Sequence, residues 1–147
     1  MRRFVFTMQA LYDVKTAAER QAMADFAAAQ RLAEQAERER DRCGQTLALE
    51  RGKLEQDARR GITILEFRSR SAYGEQLAQR MAALETELGR ARETVLKRQA
   101  ALRAIHKDKK ALERVREFQR TAFLKAEAAK EAKEMDDLLT PRMIRRM

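Results

Sequence analysis

Proline, histidine and cysteine each occur once in the 147 residues, as Pro141, His106 and Cys43, and tryptophan is absent. With its proline so late, nothing forbids helix across the residues before position 141. One cysteine cannot close an internal disulfide, which suits a reducing compartment. One histidine excludes paired-histidine metal motifs, and a Cys–His dyad would require Cys43 to meet His106. The five glycines are isolated, so no glycine-rich loop is available to cradle a phosphate. Aromatics make up 5% of the chain, too few to fill a globular core of this size. Long apolar runs are missing too. The longest uncharged stretch is the nine residues Phe4 to Tyr12, far short of the roughly 20 needed to span a bilayer. Preceded by Arg2 and Arg3, it imitates a secretory leader, but it lacks a small-residue cleavage site and is expected to continue as helix past Asp13. The expected location is cytoplasmic.

What the chain does contain is charge in plenty and a thin apolar stripe. Charged residues are 37% of the sequence and the net charge is +9. Residues 1–61 carry 12 basic and 10 acidic side chains, residues 62–147 carry 20 and 13. Such a balance admits nucleic acid, anionic membrane or acidic protein as partners. The signs are interleaved, however, as expected of a solvated helical surface with pairs such as Glu113/Arg116 and Glu127/Lys130.

The stripe reads Met81, Leu84, Leu88, Ala91, Val95, Leu102, Ile105, Leu112, with Arg98 and Lys109 as its breaks. Apolar residues alternating at three and four positions stay on one side of an α-helix and suit a single facing helix. An earlier segment has its own stripe: Met8, Leu11, Ala18, Ala22, Ala29, Leu32, Ala36, Cys43. Beyond Cys43 it drifts to Leu47, Leu54 and Ala58, closer to an eleven-residue repeat, and Gly44 and Gly52 add local looseness. Between the two stripes, Gly61 can end a helix, and Thr63 with Glu66 spells a capping box. Ser69, Ser71 and Gly74 mark a second possible break over Phe67–Gly74.

These features predict an all-α fold: a two-helix antiparallel coiled-coil hairpin with a longer C-terminal helix overhanging the N-terminus. One coiled-coil domain is expected over 1–147, with helix 1 at about 4–59, a turn at about 59–63, helix 2 at about 63–138 and a frayed tail at 140–147. Folding back near residue 62 makes the numbers of facing residues sum to about 124. Met81 then meets Cys43, Leu88 meets Ala36, Val95 meets Ala29 and Leu102 meets Ala22, large against small in successive layers; a parallel dimer of each segment is the alternative arrangement of the same stripes. At 1.5 Å per residue the paired part would be roughly 85 Å long, followed by about 25–30 Å of single helix.

No catalytic constellation is visible, and no cofactor, metal or small-molecule ligand is expected. Two clusters are candidates for binding. At the start lie Phe4, Phe6, Met8, Leu11 and Tyr12. They either pack against the second helix near Leu112, Val115 and Phe118 or, since helical residues two apart cannot share a narrow seam, leave one aromatic free for a partner. An interfacial membrane anchor is a further reading of this segment. Near the turn lie Phe67, Tyr73, Leu77 and Met81, where Tyr73, Leu77, Arg80/Met81 and Leu84 share a helical face. That face either begins the seam or anchors an interface.

The opening Phe4-Val5-Phe6-Thr7-Met8-Gln9-Ala10-Leu11-Tyr12-Asp13-Val14-Lys15, followed by Glu19, resembles the start of the flagellar FliJ family. The segment with Tyr73 and Leu77, the run Lys109-Lys110-Ala111-Leu112-Glu113 and the closing Lys133-Glu134-Met135-Asp136-Asp137-Leu138 are similar to it as well. The resemblance covers essentially the whole chain. It implies a non-enzymatic coiled coil of the type III flagellar export apparatus, like the central stalk of rotary ATPases. Its implied partners are the export ATPase hexamer, the cytoplasmic domain of the export gate and the export chaperones, with peripheral association at the inner membrane. On this resemblance Phe4, Phe6, Met8, Leu11, Tyr12, Phe118 and Phe123 would contact the ATPase, and Phe67, Tyr73, Leu77 and Arg80 the gate. A virulence-type export stalk or a basic nucleic-acid-binding coiled coil are the alternatives.

Overall fold

The computed structural model describes residues 2–146, with side chains for residues 2–140. The fold is all-α. Helix α1 runs Gln9–Arg60 and helix α2 runs Ile64–Arg146, with no strand among the described residues. The two helices pack antiparallel on each other. By spatial contact the chain divides into two compact units: Met1–Arg20 with Arg103–Met147, and Gln21–Leu102.

The second unit contains the turn. Gly61 sits at φ 100°, a left-handed conformation that glycine adopts without a Cβ penalty, and its N–H reaches the Asp57 and Ala58 carbonyls at 3.0 and 3.3 Å. Those bonds close the end of α1. Two residues later the next helix is capped: Thr63 Oγ1 accepts the Glu66 N–H at 3.1 Å, and the Phe67 N–H donates to the Thr63 carbonyl at 2.9 Å. Thr63 is therefore a working N-cap, with Glu66 in the favourable electrostatic position of the first turn. Arg70 donates to Asp57 at 2.7 Å across the turn. That hydrogen bond holds its guanidinium pKa above the ordinary value. The second possible break, Phe67–Gly74, stays helical.

Packing in this unit is large against small. Ala22, Ala29 and Cys43 are buried on α1, and Leu84 and Leu88 on α2, Leu88 with only 2% of its surface exposed. Met81 lies over Gly44, where an added Cβ would come within 3.2 Å of its methyl group. The Cys43 thiol faces the Leu77 carbonyl at 3.6 Å. Gly44, expected as a loose point, is thus a site of close approach. Asp25/Arg98, Glu37/Arg92 and Asp57/Arg70 cross between the helices as ion pairs. Their residue numbers fall within a few positions of the sum of about 124 expected of a hairpin.

Five seam assignments change: Met8, Leu11 and Ala58 are exposed, and at two further positions a neighbour takes the place. Leu32 is 63% exposed, and Ala33 is half-buried between buried Ala29 and half-buried Ala36. On α2, half-buried Gln99 replaces exposed Arg98. A three-then-four step and a four-then-three step have the same repeat, so the composition of the stripe could not separate them.

In the first unit α1 begins at Gln9 rather than near Phe4, and α2 continues to Arg146 rather than stopping near 138. Pro141 lies within that helix. It removes one rung of the ladder, and the helix carries on past it. Met147, the end of the expected tail, lies outside the described residues. Facing pairs again run in opposite directions: Phe4 meets Phe123, Tyr12 meets Glu113, Lys15 meets Asp108 and Glu19 meets His106. Beyond these contacts, every residue from 128 to 140 is exposed, which makes this stretch the overhang.

Truncating a buried seam leucine removes transfer energy and leaves a cavity. Leu88→Ala should destabilise the protein by about 2–4 kcal/mol, whereas Leu96→Ala, at an exposed position, should change stability by less than about 0.5 kcal/mol. Urea titrations followed by helicity check both. After replacement of Cys43, cysteines introduced at Ala29 and Val95 should cross-link within one chain; products found only between chains would contradict the pairing.

Candidate functional site: two exposed surfaces

In the first unit, residues 2–6 precede the helix without helical structure and residues 7–8 form a turn. The Gln9 N–H closes it on the Phe6 carbonyl at 3.2 Å. Outside a helix, residues two apart can share one side of the backbone. Accordingly Phe6 is 6% exposed, Phe4 is half-buried and Val5 between them is exposed. The Phe4 and Phe123 rings sit 5.7 Å apart at 51°, a tilted pair of the kind aromatic quadrupoles favour. The expectation that one of these phenylalanines is left free assumed helix, and it fails because this segment is not helical. Aromatic surface is left free elsewhere: Phe118 is 77% exposed, with Val5, Met8, Leu11 and Leu124 also exposed.

Tyr12 begins a polar ladder. Its hydroxyl donates to Glu113 at 3.0 Å, while the Lys109 ammonium and Arg116 guanidinium each lie 5.3 Å from its ring centre. Cations at that distance from a ring face are attracted by its quadrupole. Lys15 pairs with Asp108 at 3.1 Å, and Glu19 meets His106 Nδ1 at 3.1 Å and Lys109 at 3.3 Å. Lys109, the break in the apolar stripe, is thereby accommodated at the helix contact. Hydrogen bonds from His106, then from Lys109, hold the Glu19 carboxyl below its ordinary pKa. The stripe patterns did not reveal Glu19 or Arg116; charge at seam spacing was the available signal.

The second unit carries the other cluster. Tyr73 and Phe67 are each 45% exposed. Phe67 lines a shallow groove with Leu54 and Ala58. Leu77 and Met81 are half-buried and Leu84 buried, while Arg80 is exposed. The shared face therefore divides: Leu77, Met81 and Leu84 turn inward, and Tyr73 and Arg80 stay outside. Of the eleven candidate residues, Met8, Leu11, Phe118, Phe67, Tyr73 and Arg80 are exposed; Phe4, Phe6, Tyr12, Phe123 and Leu77 take part in internal packing.

Among the described residues, no group of three or more His, Cys, Asp or Glu is placed to hold a metal ion. None of the described helices is long and apolar enough to cross a membrane. His106 is exposed and bonded to Glu19, and Cys43 is buried in the other unit.

Two paired helices, with no strand among the described residues, define a class, the coiled-coil proteins. Within it, the family model described as flagellar FliJ protein matches residues 4–147, and the chain belongs to the FliJ family. It is accordingly a component of the flagellar export apparatus, in a family whose role there is non-catalytic. No curated protein and no solved structure matches the chain.

A carboxylate with a depressed folded pKa contributes stability that is present above its unfolded pKa and is lost as pH falls through the folded value. Wild type should therefore melt above Glu19→Gln at neutral pH, and the gap should close in acid below the ordinary carboxylate range. Thermal midpoints of both proteins across pH check this; a gap unchanged in acid would remove Glu19 from the ladder's energetics.

Proposed function

We propose that this chain is the stalk-like subunit of the flagellar export machinery. It binds the export ATPase ring through its first unit and the cytoplasmic domain of the export gate through its second, and it escorts substrate chaperones. It performs no hydrolysis itself. It works in the cytoplasm, held at the inner membrane by its partners. The observation that carries this reading is membership of the FliJ family over residues 4–147. Two separate apolar exposures support it: Phe118 with Met8 and Leu11 in one unit, Tyr73 with Phe67 in the other. Exposed aromatics are effective anchors because they bury large area with little loss of side-chain freedom. The flagellar rather than virulence-type system follows from the same family match.

The packing selects the test residues. Phe4→Asp would break the contact with Phe123, whereas Phe118 and Tyr73 can be changed without opening the seam. Phe118→Asp should weaken capture of the export ATPase by about tenfold or more and Tyr73→Asp that of the gate domain by a similar factor, each losing more than about 1.4 kcal/mol. Far-UV helicity should not change in either variant. Loss of both partners with either substitution would contradict two separate sites.

A further inference from the structure

Helix α2 in the first unit carries a second surface, built from charge. Arg103, Lys107, Lys110 and Arg114 follow one another at steps of four, three and four residues, and Lys125 comes eleven residues later. At 100° per residue all five fall within a sector about 60° wide, over about 33 Å of helix. All five are exposed. None forms an ion pair or side-chain hydrogen bond among the described residues, whereas Asp108, Glu113 and Glu19 in the same unit are engaged at the helix contact by Lys15, Tyr12, His106 and Lys109. Glu117 alone stands at the edge of the sector.

The arrangement acts against the helix that carries it. Arg103/Lys107 and Lys110/Arg114 are like charges four apart, and Lys107/Lys110 are like charges three apart, spacings at which repulsion destabilises a helix. Arg59/Glu55 shows the opposite choice at the same spacing. Along the sequence the basic residues are interrupted by Asp108 and Glu113, but the helix turns both acids toward α1 and collects the cations outside. What results is a single-sign stripe with the repeat of a coiled-coil flank.

We infer that this stripe is a docking surface for an acidic helix of a partner protein, one with Glu or Asp at alternating three- and four-residue spacing. Charge complementarity sets the sign of the partner. The spacing sets its form, since a facing helix with the same repeat keeps every cation opposite an acid along the shared length. A bilayer surface fits less well, because an interfacial helix buries a continuous apolar face beside its cations, whereas beside this stripe Phe118 and Leu124 stand singly among Ala104, Ala111, His106 and Glu117. Duplex nucleic acid fits less well too, because its phosphates wind around the duplex, whereas these cations lie in one narrow line along a straight helix. The inference does not depend on the stalk assignment.

The test uses the full chain and fluorescence anisotropy at low and at physiological salt. The probes are a labelled synthetic helix with Glu at three-four spacing, an isomer of the same composition with its Glu residues scattered around the helix, vesicles of phosphatidylglycerol and phosphatidylcholine, and a random-sequence DNA duplex. Wild type should bind the striped helix about tenfold more tightly than its isomer and more tightly than vesicles or duplex. Lys107→Glu with Arg114→Glu should abolish that preference. Lys130→Glu with Lys133→Glu, the same charge change on another face, should leave it intact, with circular dichroism confirming that both variants remain helical. Equal binding of the two peptides, equal loss in both double variants, or a preference for vesicles or duplex would overturn the proposal.

Discussion

Close approach of two helices through small side chains is the constraint on which this molecule depends. Ala22, Ala29 and Cys43 offer α2 little bulk, and that is what allows Leu84 and Leu88 to lie nearly sealed against α1. Burying a leucine contributes about 1.5–3 kcal/mol, but only when the facing surface leaves no void. Gly44 extends the principle to its limit, giving the Met81 methyl group a place that a larger residue would crowd. A seam built this way occupies one narrow side of each helix and leaves the remainder for contacts with other molecules.

The first unit solves the same pairing problem with different chemistry. Tyr12, Lys15 and Glu19 meet Glu113, Asp108, His106 and Lys109 in a ladder of hydrogen bonds and ion pairs, and the apolar contribution is gathered around Phe6 and the Phe4/Phe123 pair. Partly exposed ion pairs contribute modestly and are screened by salt. The pairing of this unit therefore responds to pH and ionic strength more than the alanine–leucine seam does. Engaging the acids inward also leaves Arg103, Lys107, Lys110 and Arg114 facing outward together.

The proposed function uses what the seam leaves uncovered. The contacts proposed for this FliJ family member are made through surfaces outside the seam. Phe118 and Tyr73 are the aromatic side chains best placed for that, because neither is held by the helix contact.

The one-dimensional pattern pointed to two helices with a break near residues 59–63, because three-four periodicity, a left-handed glycine and a threonine cap are local properties that tertiary context seldom reverses. That the stripes pair antiparallel with each other, rather than each with its own copy, was decided by the tertiary structure. It also brought out the opening motif and, with it, the family. Tertiary structure alone decided which residues at equivalent spacing turn inward: Ala33 over Leu32, Gln99 over Arg98, and Phe4 with Phe6 inward from a segment that is not helical. Those choices rest on the fit between two surfaces across a gap of a few ångströms. A single chain read from end to end contains each surface, but only their contact fixes the rotation of one helix against the other.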